Sequence, residues 1–137
     1  MQIVPYLSFK GDCEAAFKFY ERLLGGKLEA LMTFGSTPAA EGVPPSHKDK
    51  IMHARLVLAP GQELMGSDSP PGRHQTPKGM HVSLMVDSIA EGERIFRGLA
   101  DGGTIEMPFE QTFWAPRFGM AVDRFGTPWM VNCEVAS

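Results

Sequence analysis

The sequence predicts an α+β protein built from two copies of one β-α-β-β-β unit. Three observations predict it. First, the chain nearly repeats itself. Pro5-Tyr6-Leu7-Ser8-Phe9-Lys10-Gly11-Asp12 is echoed by His81-Val82-Ser83-Leu84-Met85-Val86-Asp87-Ser88, and Leu58 to Met65 by Asp123 to Met130. Second, each half carries one helical pattern among four strand patterns, which argues against a doubly wound sheet. Third, residues 69–78 contain three prolines and read as a linker. Two copies of a small unit are expected to pack together and share a cavity. The expected organisation is a single domain over 1–137, with unit one at 1–69 and unit two at 79–137.

Residues 2–9 read as a strand. Asp12 is the expected N-cap of a helix over 13–24, where Ala16, Phe17, Tyr20, Leu23 and Leu24 form one stripe. Gly25-Gly26 should end it, because glycine takes the left-handed conformation readily. Residues 27–34 form the second strand. Residues 35–49 hold Pro38, Pro44, Pro45 and Gly42, and read as a surface loop or flap without regular structure. Strands over 51–59 and 62–68 follow, joined by a tight turn at Pro60-Gly61.

The second unit begins with a strand over 80–86. Ser88-Ile89-Ala90-Glu91 is a capping box opening a helix whose apolar positions are Ile89, Ile95, Phe96 and Leu99. Gly102-Gly103 should end it as before. Strands near 104–107, 117–123 and 128–134 complete the unit. The offset between copies is 76 positions at Pro5/His81 and 65 at Met65/Met130, because the first copy holds the longer loop.

Hydrophobic residues make up 43% of the chain, enough for a sizeable core. The formal charge is −3, with no run of Lys or Arg, so a nucleic-acid partner is not expected. No apolar stretch reaches the roughly 20 residues that cross a bilayer, so no membrane partner is expected. The start, Met-Gln-Ile-Val-Pro-Tyr, lacks the features of a signal peptide, and a soluble cytoplasmic protein is expected. Cys13 and Cys133 form no metal-type pair. Cys13 sits in the first turn of a helix, where the dipole lowers a thiol pKa; its other reading is a small packing residue.

The chain resembles the vicinal oxygen chelate superfamily, which includes glyoxalase I, extradiol dioxygenases, fosfomycin-resistance proteins and bleomycin-binding proteins. Within it the sequence is similar to the PhnB-like branch. Pro5-Tyr6-Leu7-Ser8-Phe9, Ala15 to Tyr20, Ile51-Met52-His53-Ala54, Gln111-Thr112-Phe113-Trp114 and Asp123 to Asn132 carry the resemblance over essentially the whole chain. It implies an eight-stranded, glyoxalase-like structure curved into a half-open central cavity, often as a homodimer. Some members of the branch carry a demethylubiquinone methyltransferase label. This sequence has no glycine-rich strand–turn–helix of the kind that cradles a nucleotide-like cofactor.

Metal-dependent relatives place one ligand on the first and one on the last strand of each unit. Those positions correspond here to Pro5, Met65 or a neighbour, His81 and Met130. Only His81 is a good ligand for a divalent ion, whereas catalytic zinc sites keep three protein ligands plus water. No cofactor is therefore expected. A divalent metal at a shifted site of His53, Glu63 and His81 stays open, although Arg55 would repel it.

Strand periodicity puts His53, Arg55 and Val57 on one face of the third strand, opposite Met52, Ala54, Leu56 and Leu58. The first set should face the cavity. His81, Ser83 and Met85 should do so on the fifth strand, and Glu63, Met65 and Ser67 on the fourth. Leu7, Phe9, Met65, Met85, Phe118, Met120 and Met130 supply its apolar lining, with Trp114 as a wall. Trp129 should lie on the opposite, helix-packed face. Arg55 would anchor a carboxylate or phosphonate, or else pair with Glu63. His53 would act as a general base, or else be a hydrogen-bonded structural histidine. His47 and His74 should be solvated. The expected ligand-binding set is His53, Arg55, Met65, His81, Ser83, Trp114, Phe118, Met120 and Met130.

Two functions follow. The first is metal-free binding of a small, partly apolar, perhaps anionic molecule. The second is a divalent-metal lyase, isomerase or transferase. The third reading is a structural dimer with no pocket, its interior closed by Met65, Met85 and Met130.

Overall fold

The computed structural model describes residues 1–136. The chain divides into two compact units, Met1–Thr76 and Pro77–Ser137, the described part of the second ending at residue 136. Unit one holds β1 (Tyr6–Phe9), α1 (Cys13–Leu24), β2 (Lys27–Thr33), β3 (Ile51–Ala59) and β4 (Gln62–Asp68). Unit two holds β5 (Val82–Val86), α2 (Ile89–Ala100), β6 (Thr104–Glu110), β7 (Arg117–Val122) and β8 (Pro128–Cys133).

Each unit is a four-stranded mixed sheet with one helix on one face. The strand orders are β1-β4-β3-β2 and β5-β8-β7-β6. β1 runs parallel to β4, and β5 to β8; the other pairs are antiparallel. The α+β class and the repeated unit are thus as the sequence predicts. The eight strands form two separate four-stranded sheets.

The helices form where the apolar spacing puts them. α1 buries Cys13, Ala16, Phe17 and Tyr20 against Phe9, Ala54, Leu56 and Leu64 of its sheet. α2 buries Ile95, Phe96 and Leu99 against Ala121, Trp129 and Val131. Each large side chain buried this way contributes about 1.5–3 kcal/mol. Gly25 ends α1 in the left-handed conformation, at φ 82°. α2 ends differently: Asp101 is already extended, and the left-handed turn falls one residue later at Gly102.

The second glycine of each pair has another reason to be there. A Cβ on Gly26 would lie 2.6 Å from the Val57 carbonyl oxygen, and one on Gly103 only 2.1 Å from that of Val122. Both copies need a bare backbone where the chain leaves the helix and meets the antiparallel strand.

Several boundaries move. β1 starts at Tyr6, not residue 2, and β5 at Val82, not residue 80. β6 continues through Pro108 to Glu110, because it is an edge strand and a missing N–H can face solvent. The loop after β2 is not irregular. It makes three short 3-10 turns, at Phe34–Ser36, Pro38–Gly42 and Pro45–His47. Thr33 and Thr37 cap the first two, and backbone bonds from Phe34 to Lys50 and Gly35 to Lys48 close the base.

Candidate functional site

In both units the helix covers one sheet face, and the predicted site residues lie on the other. In unit one the register aligns Tyr6, Met65, Arg55 and Ala30 across all four strands. Partners in register share a face. His53 stands beside Met32, and Glu63 beside Val57. This face is largely polar. The Arg55 guanidinium donates to both Glu63 oxygens, at 2.7 and 3.0 Å. That bond, helped by Gln2, holds the Glu63 carboxyl down at about 2. Of the two readings for Arg55, the geometry gives the ion pair, so its fork is already occupied.

The Tyr6 ring stacks on His53 with centroids 6.1 Å apart, and the hydroxyl lies 3.5 Å from His53 Nδ1. His53 is thereby tied to a partner that the sequence reading missed. Alternation places Tyr6 opposite Leu7, so a correct phase for β1 would have found it. That phase was wrong. Leu7 and Phe9 are buried on the helix side, with the Phe9 ring 6.0 Å from that of Phe17. They do not line the uncovered face.

Unit two presents a different face. One register row runs Met107, Met120, Met130, Ser83. The next runs Glu110, Phe118, Asn132, Met85. Trp114, on the loop before β7, closes over Phe118 with ring centroids 5.3 Å apart, leaving Phe118 9% exposed. Trp129 lies on the helix side, fully buried, as alternation predicts. His81 Nε2–H donates to the Glu106 carboxylate at 3.1 Å. β5 and β6 are opposite edges of this sheet, so the pair reaches across its uncovered face. Glu106 gets there because β6 carries an extra residue between Ile105, which pairs with Ala121, and Met107, which pairs with Met120. Such a bulge turns a side chain out of the ordinary alternation. Nothing in the sequence marks it.

Two buried carboxylates hold these faces in place. Asp68, 1% exposed, accepts from the backbone N–H of Cys13 and of Ile51, tying α1 to β3 and β4. It performs the capping expected of Asp12, whose carboxylate makes no capping bond. Asp123 accepts from the N–H of Phe125 and Thr127 through Oδ1, and from Trp129 Nε1 through Oδ2. The Asp123-Arg124-Phe125-Gly126-Thr127-Pro128-Trp129 motif is therefore a turn knotted around one buried acid. It sets β7 against β8 and so aligns Met120 with Met130.

The four inherited ligand positions hold a proline, two thioethers and one imidazole, a donor set that does not fit a hard or borderline divalent ion. The shifted set fares no better. Glu63 is spent on Arg55, and among the described residues no three His, Cys, Asp or Glu side chains gather as a metal group.

Two further expectations change, and of the two readings for Cys13 one is kept. His47 is buried, not solvated, with its ring 4.9 Å from that of Phe34. His74 is half-buried, and its Nδ1 is shielded from water. Burial, with Asp68 adding to it, pushes the Cys13 thiol up; desolvation outweighs the helix dipole, and the packing reading holds. An open groove of about 560 Å³ lies between α2 and β6, lined by Phe96, Ile105 and Phe109. It is on the helix side and takes none of the predicted site residues.

Comparison with known proteins adds the following. The family model of the Glyoxalase/Bleomycin resistance protein/Dioxygenase superfamily matches residues 2–131. Protein YjdN of Escherichia coli K12 is 39% identical, covering 96% of this chain and 95% of its own. The crystal structure of protein PA1353 from Pseudomonas aeruginosa is 53% identical, covers 98% of both chains and superposes with a TM-score of 0.89. A Bacillus cereus PhnB protein, described as a candidate 3-demethylubiquinone-9 3-methyltransferase, is 24% identical with a TM-score of 0.80, covering 97% of this chain and 99% of its own. That last likeness speaks to fold alone.

Proposed function

We propose, from the premise that this chain belongs to the glyoxalase/bleomycin resistance/dioxygenase superfamily, that its uncovered sheet faces bind a small, partly apolar molecule without a metal. One observation carries the reading. Side chains of both sheets that the helices leave uncovered are shape-adaptable and mostly half-exposed: Met65, Met120 and Met130, with Trp114 over Phe118. Methionine moulds to varied ligands, and apolar surface with a few polar groups suits small molecules. The polar groups are His53, Arg55, His81 and Ser83. An anionic ligand would have to draw Arg55 away from Glu63, which argues for a neutral or cationic one.

The donor chemistry above supports binding without a divalent ion. Protein made without a histidine tag and screened against a small-molecule library should show melting-temperature rises that grow with ligand concentration, as linkage requires. His81→Ala should weaken the binding of the hits. Stoichiometric divalent metal in that preparation, lost on His81→Ala, would overturn the metal-free reading. The homodimer implied by the family belongs to the same proposal. Light scattering should then give twice the mass of the chain.

A further inference from the structure

We infer that the row formed by Glu110, Phe118, Asn132 and Met85, with Trp114 and Phe113 above it, is a recognition site for a lipophilic ammonium ion. This deepens the small-molecule reading and rests on it. The argument starts from what the row offers. Cα register places Glu110 beside Phe118, Phe118 beside Asn132, and Asn132 beside Met85, so the four residues share the face that α2 does not cover.

Each of these groups is electron-rich. Glu110 is exposed, and no hydrogen bond or ion pair among the described residues engages its carboxylate. Phe118 is capped by Trp114, and Trp114 by Phe113, with ring centroids 5.3 and 4.7 Å apart and near-perpendicular planes. Phe113 is 97% exposed and Trp114 50%. Cations bind over such ring faces, most strongly over Trp.

Asn132 adds an independent pointer. Its Oδ1 is buried and has no hydrogen-bond partner, while its Nδ2 is turned to the Met85 sulfur at 3.6 Å. A buried acceptor left unmade is costly, and an N–H on a ligand would satisfy it once the Asn132 amide turns outward to meet it. The row thus presents a carboxylate, ring faces, an amide oxygen and a thioether. One N–H of the amide is engaged with sulfur, and the row carries no cationic side chain. An anion would meet only the second amide N–H and the Trp114 indole N–H, and would sit against the Glu110 carboxylate. A neutral molecule would gain only the apolar contact. A protonated amine on an apolar body matches every group: charge to Glu110, N–H to Asn132, aryl or alkyl to Trp114 and the methionines.

The test compares three probes of one shape: 2-phenylethylammonium, 2-phenylethanol and phenylacetate. Binding is read by titration calorimetry and by NMR shifts of the Trp114 indole and the methionine methyls. The ammonium should bind at least about tenfold tighter than the alcohol, and phenylacetate weakest. Glu110→Gln, on an exposed edge-strand position, should remove that preference by lowering ammonium affinity far more than alcohol affinity. Trp114→Ala should weaken both. Asn132→Leu should weaken the ammonium more than the alcohol.

Phenylacetate or the alcohol binding as well as the ammonium would overturn the inference while leaving small-molecule binding intact. So would a full ammonium preference in Glu110→Gln. Binding of none of the three would also overturn it, and the library screen would then judge the broader reading separately.

Discussion

Replacing Asp123 by alanine tests the claim that one buried acid sets the uncovered face of unit two. The residue is 3% exposed and accepts three bonds, at 2.9, 3.0 and 2.8 Å, from Phe125 N, Thr127 N and Trp129 Nε1. Removing it takes this acceptor from the three donors at once. A buried unmade donor costs about 1–3 kcal/mol, so three would cost about 3–9 kcal/mol if nothing relaxed. Relaxation will occur: the Phe125 N–H is only part-buried and can turn to water. The expected loss is therefore about 3–5 kcal/mol, the usual range for removing one partner of a buried charged network. Urea denaturation of the whole chain measures it.

A control separates the indole bond from the turn. Trp129→Phe deletes only the third donor and some apolar contact. Pairing it with Asp123→Ala in a double-mutant cycle should give a coupling of about 0.5–3 kcal/mol. A loss below about 1 kcal/mol for Asp123→Ala, or no coupling to Trp129, would refute the knot. The register of Met120 on Met130 would then need another cause.

Two further outcomes follow from the geometry. Glu63 is held at about 2, below its ordinary 4.5, so its pairing stabilises the fold above about pH 4.5 and is lost as pH falls through about 2. Carboxyl NMR should show that depressed titration, and Arg55→Met should return Glu63 towards the ordinary range; a native midpoint near 4.5 would remove the pair from solution. Gly103→Ala forces a Cβ to 2.1 Å from the Val122 carbonyl and should cost about 1–3 kcal/mol or more by overpacking, whereas Gly42→Ala, with open space around it, should cost well under that. Equal melting temperatures for the two variants would refute the close approach.

Most of the fold was legible, because helix stripes and strand alternation are local. Phe17 and Tyr20, or Phe96 and Leu99, fall on one helical side whatever surrounds them. What alternation cannot supply is which face is which. On β3 the polar pair His53 and Arg55 marks the side that α1 leaves uncovered. On β1 both faces carry an aromatic ring, so the pattern does not choose between them, and Phe9 packs on Phe17 while Tyr6 faces outward. β6 outruns the strand expected near 104–107 for a related reason: proline breaks a strand only where its N–H is needed, and an edge strand such as β6 does not need it at Pro108.

The site was less legible because its distinctive pieces are non-local. Glu106 reaches His81 only through a bulge, and Asp68 caps a helix 55 positions earlier in the chain. Neither leaves a motif. The two faces also diverged in a way that only register reveals. With Met65 matched to Met130, register sets Tyr6 and Arg55 in one unit against Ser83 and Met120 in the other, so the first strands correspond at Tyr6 and Ser83, one residue off the Pro5/His81 match that the sequence repeat suggests. The repeat predicts two similar faces; the side chains centre one on the Arg55–Glu63 pair and give the other, beside its His81–Glu106 pair, more methionine and aromatic surface. A pair such as Arg55 and Glu63 that already satisfies itself gains little from a ligand, since binding must first break it. An orphaned oxygen such as that of Asn132 gains from the first N–H to arrive. Recognition should therefore be carried by unit two, and substitutions there should move ligand affinity more than those at Arg55 or His53.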